Sequence, residues 1–222
     1  MDAPSLEIIA RIESDFPTKF GIPRQSGLAP SLTARIVFEK KFRSVEALSG
    51  LEKFSHIWLI WGFSEAVQEN WSPTVRPPRL GGNTKVGVFA TRSPFRPNSL
   101  GLSAVKIEKI ENGEIFVSGA DLMDKTPIYD IKPYLPAVDA ITSATDLFNE
   151  SAEKTPLEVK VSDELAGRIP TDRLISLKEI LALDPRPAYQ NDPSRIYGFS
   201  FAGCEIKFKV DGNVLTVVSV EK

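Results

Sequence analysis

The sequence predicts a mainly β protein, a barrel or closed sheet followed by a small α+β domain, and three observations carry that expectation. Short apolar runs recur along the 222 residues, separated by turn-forming residues, which is the pattern of many short strands. Asn112-Gly113 lies between two alternating runs, a strong signal for a tight hairpin. After Asp139 the composition turns polar through ITSATDLFNESAEKTP, and beyond it strand-like runs surround one helical stretch. The expected organisation is a β domain over residues 1–140, a linker over 141–155 and a small α+β domain over 156–222.

The elements follow in order. LEIIARI alternates loosely, and DFPTKFGIPRQSGLAPS, interrupted by Pro and Gly, predicts a long loop. TARIVFEKKF puts Ile36 and Phe38 on one alternating face and predicts a strand, while SVEALSGLEKF predicts a short helix from Ser44 to about Gly50. HIWLIWGF, residues 56–63, is almost wholly apolar and predicts a central strand buried on both faces. VGVFA, LSAVKIEKI and EIFVSGA predict three more strands, the last two joined at Asn112-Gly113. In the second domain LEVKV, YGFSFAG, CEIKFKV and LTVVSV predict strands, with a turn at Asp211-Gly212-Asn213, and residues 176–183 predict a helix.

Composition narrows the function. No apolar run approaches the roughly 18 residues needed to cross a bilayer, and Asp2 and Glu7 stand where a signal peptide would carry basic residues, so a cytoplasmic protein is expected. The single cysteine, Cys204, cannot form an internal disulfide or a multi-thiolate metal site. The single histidine, His56, excludes two-His zinc sites. A net charge of −2 argues against a generic nucleic-acid-coating protein. Charge is unevenly spread, however: Arg76, Arg79, Lys85, Arg92 and Arg96 fall between Trp71 and Leu100 without one Asp or Glu, a local +5. Such a patch suits a polyanion or a carboxylate.

Three constellations hold the chemistry. RPPRLGGNTKVGVFATRSPFRPNSLG combines Pro and Gly, which fix or sharply bend the backbone, with guanidinium and ammonium groups, a combination suited to an anion or nucleotide. GADLMDKTPIYDIKPYLP places Asp121, Asp124 and Asp130 within ten positions, with Lys132 close behind. Its carboxylates could hold a metal, act as a general base or accept from ribose hydroxyls. KFGIPRQSG puts Arg24 and Gln25 after Pro23 in the irregular loop, where Arg24 could clamp a carboxylate. Neither the dinucleotide fingerprint G-x-G-x-x-G nor a phosphate-binding G-x-x-x-x-G-K-[ST] loop occurs, which argues against a Rossmann-type domain.

FGIPRQSGL, RPPRLGGNTKVGVFATRSPFRPNSLG and ADLMDKTPIYDIKPYLP, in that order, resemble the TsaA-like family of tRNA methyltransferases; SGLEKFSHIWLIWGF and LALDPRPAY, residues 181–189, fit the same family. The resemblance implies a single-sheeted β-barrel that binds S-adenosylmethionine without a Rossmann domain, usually as a homodimer. It implies methylation of N6 of threonylcarbamoyladenosine beside the anticodon of threonine tRNA. Carried over position by position, it implies cofactor contacts from Pro23, Arg24, Gln25, His56, Arg92, Leu102, Asp121, Leu122, Met123 and Asp124. One departure stands out: many members read R-P-N-P-I-G where this chain has RPNSLG, residues 96–101, which loosens the turn without removing a charge.

The residue chemistry agrees with this family. A methionyl carboxylate would pair with Arg24 or Arg92, while Asp121 or Asp124 would accept from ribose or offset an amino group. A urea-like acceptor nitrogen must lose its proton, and Asp124, Asp130 and His56 are the candidate bases, unranked. The threonyl carboxylate of the substrate asks for a cation, Arg96 or Lys132. Arg186 and Tyr189 could touch the anticodon arm, or serve domain packing equally well. No metal is expected. Two alternatives remain open: a non-catalytic adenosyl-ligand or RNA-binding module, and a metal-dependent phosphohydrolase built on the three aspartates.

Overall fold

The computed structural model describes residues 5–65, 71–77, 83–145, 155–187, 190 and 192–222. Strands β1 (Ala10–Glu13), β2 (Thr33–Phe38), β3 (His56–Gly62), β6 (Leu100–Glu111), β7 (Glu114–Ser118) and β8 (Pro127–Pro133) close into one antiparallel barrel in the order β1-β2-β7-β6-β3-β8. A two-stranded ribbon, β4 (Thr74–Val75) with β5 (Val86–Gly87), lies in the insertion between β3 and β6. The second unit is a sheet of β10 (Tyr197–Phe201), β11 (Cys204–Asp211), β12 (Val214–Glu221) and β9 (Glu158–Lys160), in that order. The α-helices among the described residues are α1 (Pro136–Asp139), α2 (Asp163–Ala166) and α3 (Leu174–Ala182), beside several 3-10 turns. The mainly β expectation, barrel first and α+β unit second, is what the chain forms.

Alternation explains the barrel. Ile12, Ile36, Ile57, Leu59, Val105, Ile115, Val117 and Ile128 point inward and are fully or almost fully buried. Eight strands enclose an interior just wide enough for side chains, so six leave no lumen for a ligand. Binding must therefore happen at the barrel's ends or on its outside. The β6–β7 hairpin turns on Asn112 and Gly113, both at positive φ, as a type I′ turn requires.

Three expectations change. The strand β3 is buried on one face rather than two: Ile57, Leu59 and Trp61 face the core, while His56, Trp58 and Ile60 are half-exposed on the outside. The helix expected from Ser44 is two short 3-10 turns, Glu46–Leu48 and Leu51–Lys53, separated by Gly50 in the left-handed conformation. The strand expected over residues 86–90 pairs only through Val86 and Gly87, then tightens into a 3-10 turn, Val88–Ala90.

The long loop between β1 and β2 belongs to the other core. Phe16, Ala29 and Leu32 are buried in one cluster with Leu177, Leu181, Phe199, Phe201, Phe208 and Leu215 of the second unit. The Phe16 and Phe201 rings lie 5.3 Å apart. Polar ties reinforce the packing: Asp15 pairs with Arg173 at 2.6 Å, and the N–H and hydroxyl of Ser31 donate to Glu179 at 3.0 and 2.8 Å.

Candidate active site

Two backbone hydrogen bonds bring the cofactor-binding candidates together. Gly27 N–H donates to the Gly119 carbonyl and Gly119 N–H to the Leu32 carbonyl, both at 2.8 Å. The β1–β2 loop is thus fastened to the end of β7, where the chain turns into Asp121. Arg24, Gln25 and Ser26 arrive beside the barrel mouth as a result. Arg92, from the insertion, donates to Gln25 Oε1, and Gln25 in turn donates to the Arg24 carbonyl. Pro23 precedes them in the same loop and is buried.

Asp121 is the chemical centre of this cluster. The inward-facing Trp61 indole donates to Ser103 Oγ at 2.9 Å, and that hydroxyl donates to Asp121 Oδ1 at 2.6 Å, a polar chain reaching out of the apolar core. Burial pushes the Asp121 carboxyl above the ordinary aspartate range; the Ser103 hydroxyl, its own N–H, the Arg92 guanidinium and the Ser26 N–H pull the other way. Neither Trp61, Ser103 nor Ser26 was among the residues expected from sequence. For Ser103 a signal existed: it is in phase with the core residue Val105 on β6, a hydroxyl on an inward face.

The loop after Asp121 is stitched to β1 and its extension. Ser14 N–H donates to Asp124 Oδ1 at 3.1 Å, Ser14 Oγ to the Leu122 carbonyl at 3.0 Å, and Asp124 N–H to the Phe16 carbonyl at 2.8 Å. Leu122 is buried in the barrel core, so its side chain is a packing group, while the Met123 carbonyl accepts from the Thr126 hydroxyl at 2.7 Å.

Other candidates lie elsewhere. His56, Trp58 and Ile60 pair across the sheet with Lys106, Ala104 and Leu102 on β6, and Trp58 and Ile60 with Lys132 and Asp130 on β8. Directly opposed residues share a face, so Leu102, Asp130, Lys132 and His56 occupy the barrel's outer wall. His56 is four positions from the level of Leu102, about 13 Å along the strand. Within one chain it does not meet Leu102. Asp130 is engaged by Lys132 at 3.0 Å and His56 Nδ1 lies 2.9 Å from Ser55 Oγ, so the three candidate bases stand in three different settings. The three aspartates likewise do not converge on one point. Arg96 donates to the Thr91 carbonyl at 3.1 Å and braces the insertion. Arg186 is turned inward, 9% exposed and gripped by both oxygens of Asp184 at 2.8 and 3.0 Å, a geometry that serves packing of the 184–187 turn. Tyr189 lies outside the described residues.

The residues at the barrel mouth fit a zwitterionic amino acid joined to a nucleoside. A half-buried carboxylate suits an amino or hydroxyl donor, and exposed Arg24 and Arg92 suit a carboxylate.

Known proteins match the chain along its length. The family described as "tRNA-methyltransferase O N-terminal domain" matches residues 11–140, and the one described as "TrmO C-terminal domain" matches residues 154–222. The tRNA (adenine(37)-N6)-methyltransferase of Eikenella corrodens is 46% identical over 75% of this chain and 97% of its own. The protein of the same name from Escherichia coli is 35% identical over 100% of this chain and 99% of its own. The crystal structure of TrmO from Pseudomonas aeruginosa superposes with a TM-score of 0.82 at 32% identity, covering 100% of this chain and 99% of that one. In sequence and fold alike, the chain belongs to the tRNA-methyltransferase O family.

Proposed function

We infer that this protein is an S-adenosylmethionine-dependent tRNA methyltransferase that methylates N6 of threonylcarbamoyladenosine beside the anticodon of threonine tRNA. The observation that carries the reading is the half-buried Asp121 carboxylate near Arg92, itself bonded to Gln25, at the barrel mouth, in a chain alike end to end to a curated tRNA (adenine(37)-N6)-methyltransferase.

S-adenosylmethionine, when bound, supplies a methyl group on a sulfonium that is already electrophilic. The protein's task is then alignment, exclusion of water and proton removal. Arg92 and Arg24 meet the carboxylate end of the ligand, and Asp121 accepts from a hydroxyl or amino group. Ser103 and Trp61 hold the Asp121 carboxylate in one orientation. Asp124 shares the loop of Asp121 and is the base in best position to take the acceptor nitrogen's proton; Ser14 N–H fixes its Oδ1. A positioned base of this kind contributes roughly two to four orders of magnitude. Arg96 and Lys132 are the cations proposed for the substrate's threonyl carboxylate.

A homodimer is part of the same reading. Its support is the outer wall, where Leu102 is exposed, His56 is half-exposed about 13 Å along the strand, and exposed Leu135 and Val138 neighbour the Tyr134 and Asp139 that contact Trp58; a second copy would bring a His56 toward the Leu102 it cannot reach in its own chain. Sedimentation at twice 24.5 kDa is the expected result. A cytoplasmic location, with the tRNA, completes the reading.

The deciding experiment supplies labelled S-adenosylmethionine and threonine tRNA carrying threonylcarbamoyladenosine, followed by nucleoside mass spectrometry. Label is expected on N6 of that nucleoside, with S-adenosylhomocysteine formed in equal amount. Cofactor binding without transfer would overturn the enzymatic reading in favour of a binding module.

A further inference from the structure

The insertion between β3 and β6 exposes aromatic rings that its folding does not use. Phe89 is 72% exposed, Trp71 50% and Phe95 44%. The Trp71 and Phe89 ring centroids lie 6.1 Å apart at 33°. Their backbone is firmly set, because neighbouring Val88 is buried and anchors the turn: Val88 N–H donates to the Pro73 carbonyl at 3.0 Å, and the Val88 carbonyl accepts from Thr91 N–H at 3.1 Å and from its hydroxyl at 2.8 Å. A ring held out on a fixed turn loses little freedom when something stacks on it.

The surroundings indicate what stacks. Arg76 and Lys85 flank the β4–β5 ribbon just beyond its Val75–Val86 pair, Arg92 follows Phe89 by three positions, and no acidic residue occurs between Trp71 and Leu100. Among the described residues, Arg76 and Lys85 have no carboxylate partner. Aromatic faces interleaved with unpaired cations are the chemistry of single-stranded nucleic acid, whose bases stack while its phosphates are neutralised. A second copy of the chain is a poor occupant, since a two-fold contact would set this cation cluster against itself.

We propose that Phe89, backed by Trp71, is a stacking platform for an unpaired base of the RNA substrate, with Arg76 and Lys85 on the flanking phosphates. The proposal rests on the tRNA reading above and adds a subsite to it. Phe89 and Arg92 are three positions apart, roughly 10 Å at most, so the stacked base sits next to the proposed cofactor cluster. The platform thereby holds the splayed anticodon loop where the methyl group is delivered.

The test compares Phe89→Ala, Phe89→Leu and Phe89→Trp, using an RNA stem-loop of the threonine anticodon arm for calorimetry and the modified tRNA for transfer kinetics. Loss of one stacked base should raise both the Kd for the stem-loop and the KM for tRNA about tenfold in the Ala and Leu variants. Phe89→Trp should retain wild-type values, and kcat and the Kd for S-adenosylmethionine should not move. Wild-type RNA affinity in the Leu variant would overturn stacking. A shift to monomers in the Ala variant would also overturn it, in favour of a contact between copies. If the wild-type protein binds the stem-loop but moves no methyl group, the activity reading fails while the platform is still tested by affinity. If it moves methyl and the Ala variant does so with unchanged KM, the platform alone fails.

Discussion

The guanidinium of Arg24 donates from Nη2 to the backbone carbonyl of Arg186 at 3.4 Å, across 162 positions of the chain. That carbonyl is itself held in place because the Arg186 side chain is locked to Asp184. The second unit therefore steadies the arginine of the first that we propose meets the cofactor's carboxylate.

A double-mutant cycle reads this coupling. Arg186→Ala should weaken S-adenosylmethionine binding several-fold in the wild-type background and have no further effect on Arg24→Ala, by calorimetry. It should also cost roughly 2 kcal/mol or more of stability, the lower side of breaking a buried ion pair because Asp184 keeps some contact with water. An additive cycle would show that the two arginines act separately.

Asp121 gives a pH signature. Its carboxyl is raised in the folded protein, so the native state holds that proton more tightly than the unfolded chain, and this group's contribution to stability is lost as pH rises above the ordinary aspartate range. Asp121→Asn, which retains an acceptor for Ser103, should therefore raise Tm at neutral pH, with the gain shrinking as pH falls toward that range. Its affinity for S-adenosylmethionine should drop and lose the acid weakening expected of the wild type. Melting curves and calorimetry across pH check both signs.

Ser103→Ala removes the middle of the polar chain and leaves the buried Trp61 indole N–H without its acceptor. The expected loss is about 1–3 kcal/mol in chemical denaturation. Cofactor affinity should fall with it, because the Asp121 carboxylate loses its orienting donor. A melt unchanged from wild type would mean that a water takes the place of the hydroxyl.

Gly21→Ala probes the loop's seat on the second unit. Gly21 has φ +90, and a Cβ there would stand 2.4 Å from Phe199 Cδ2. Strain and overlap together should destabilise the protein by roughly 2–4 kcal/mol, measured by denaturant titration. In a Phe199→Ala background, which carries its own cost of core truncation, Gly21→Ala should cost only the strain part.

Local features were legible in the sequence. The Asn112-Gly113 turn, the alternation of β2 and β6 and the strands of the second sheet follow from nearest neighbours, which is where propensity and period act. The acid-free cations and the Asp121–Asp124 loop were also visible as residues. Closure between β1 and β8 was not, because pairing over more than a hundred positions leaves no periodic trace. The apolar run of β3 suggested burial on both faces, yet Trp58 and Ile60 line an outer wall, something an apolar count cannot distinguish. Composition said nothing of which core Phe16 and Leu32 would join, and so placed the loop of Arg24 with the barrel alone.

That loop's membership in the second core fixes when the loop can be seated during synthesis. The barrel's last strand ends at Pro133, and once that stretch clears the ribosome all six staves are available. Phe16, Ala29 and Leu32 still await Phe199, Phe208 and Leu215, which are made last. A nascent chain can thus own a finished barrel while the arm bearing Arg24 and Gln25, proposed to meet the methyl donor, is seated only by the final strands.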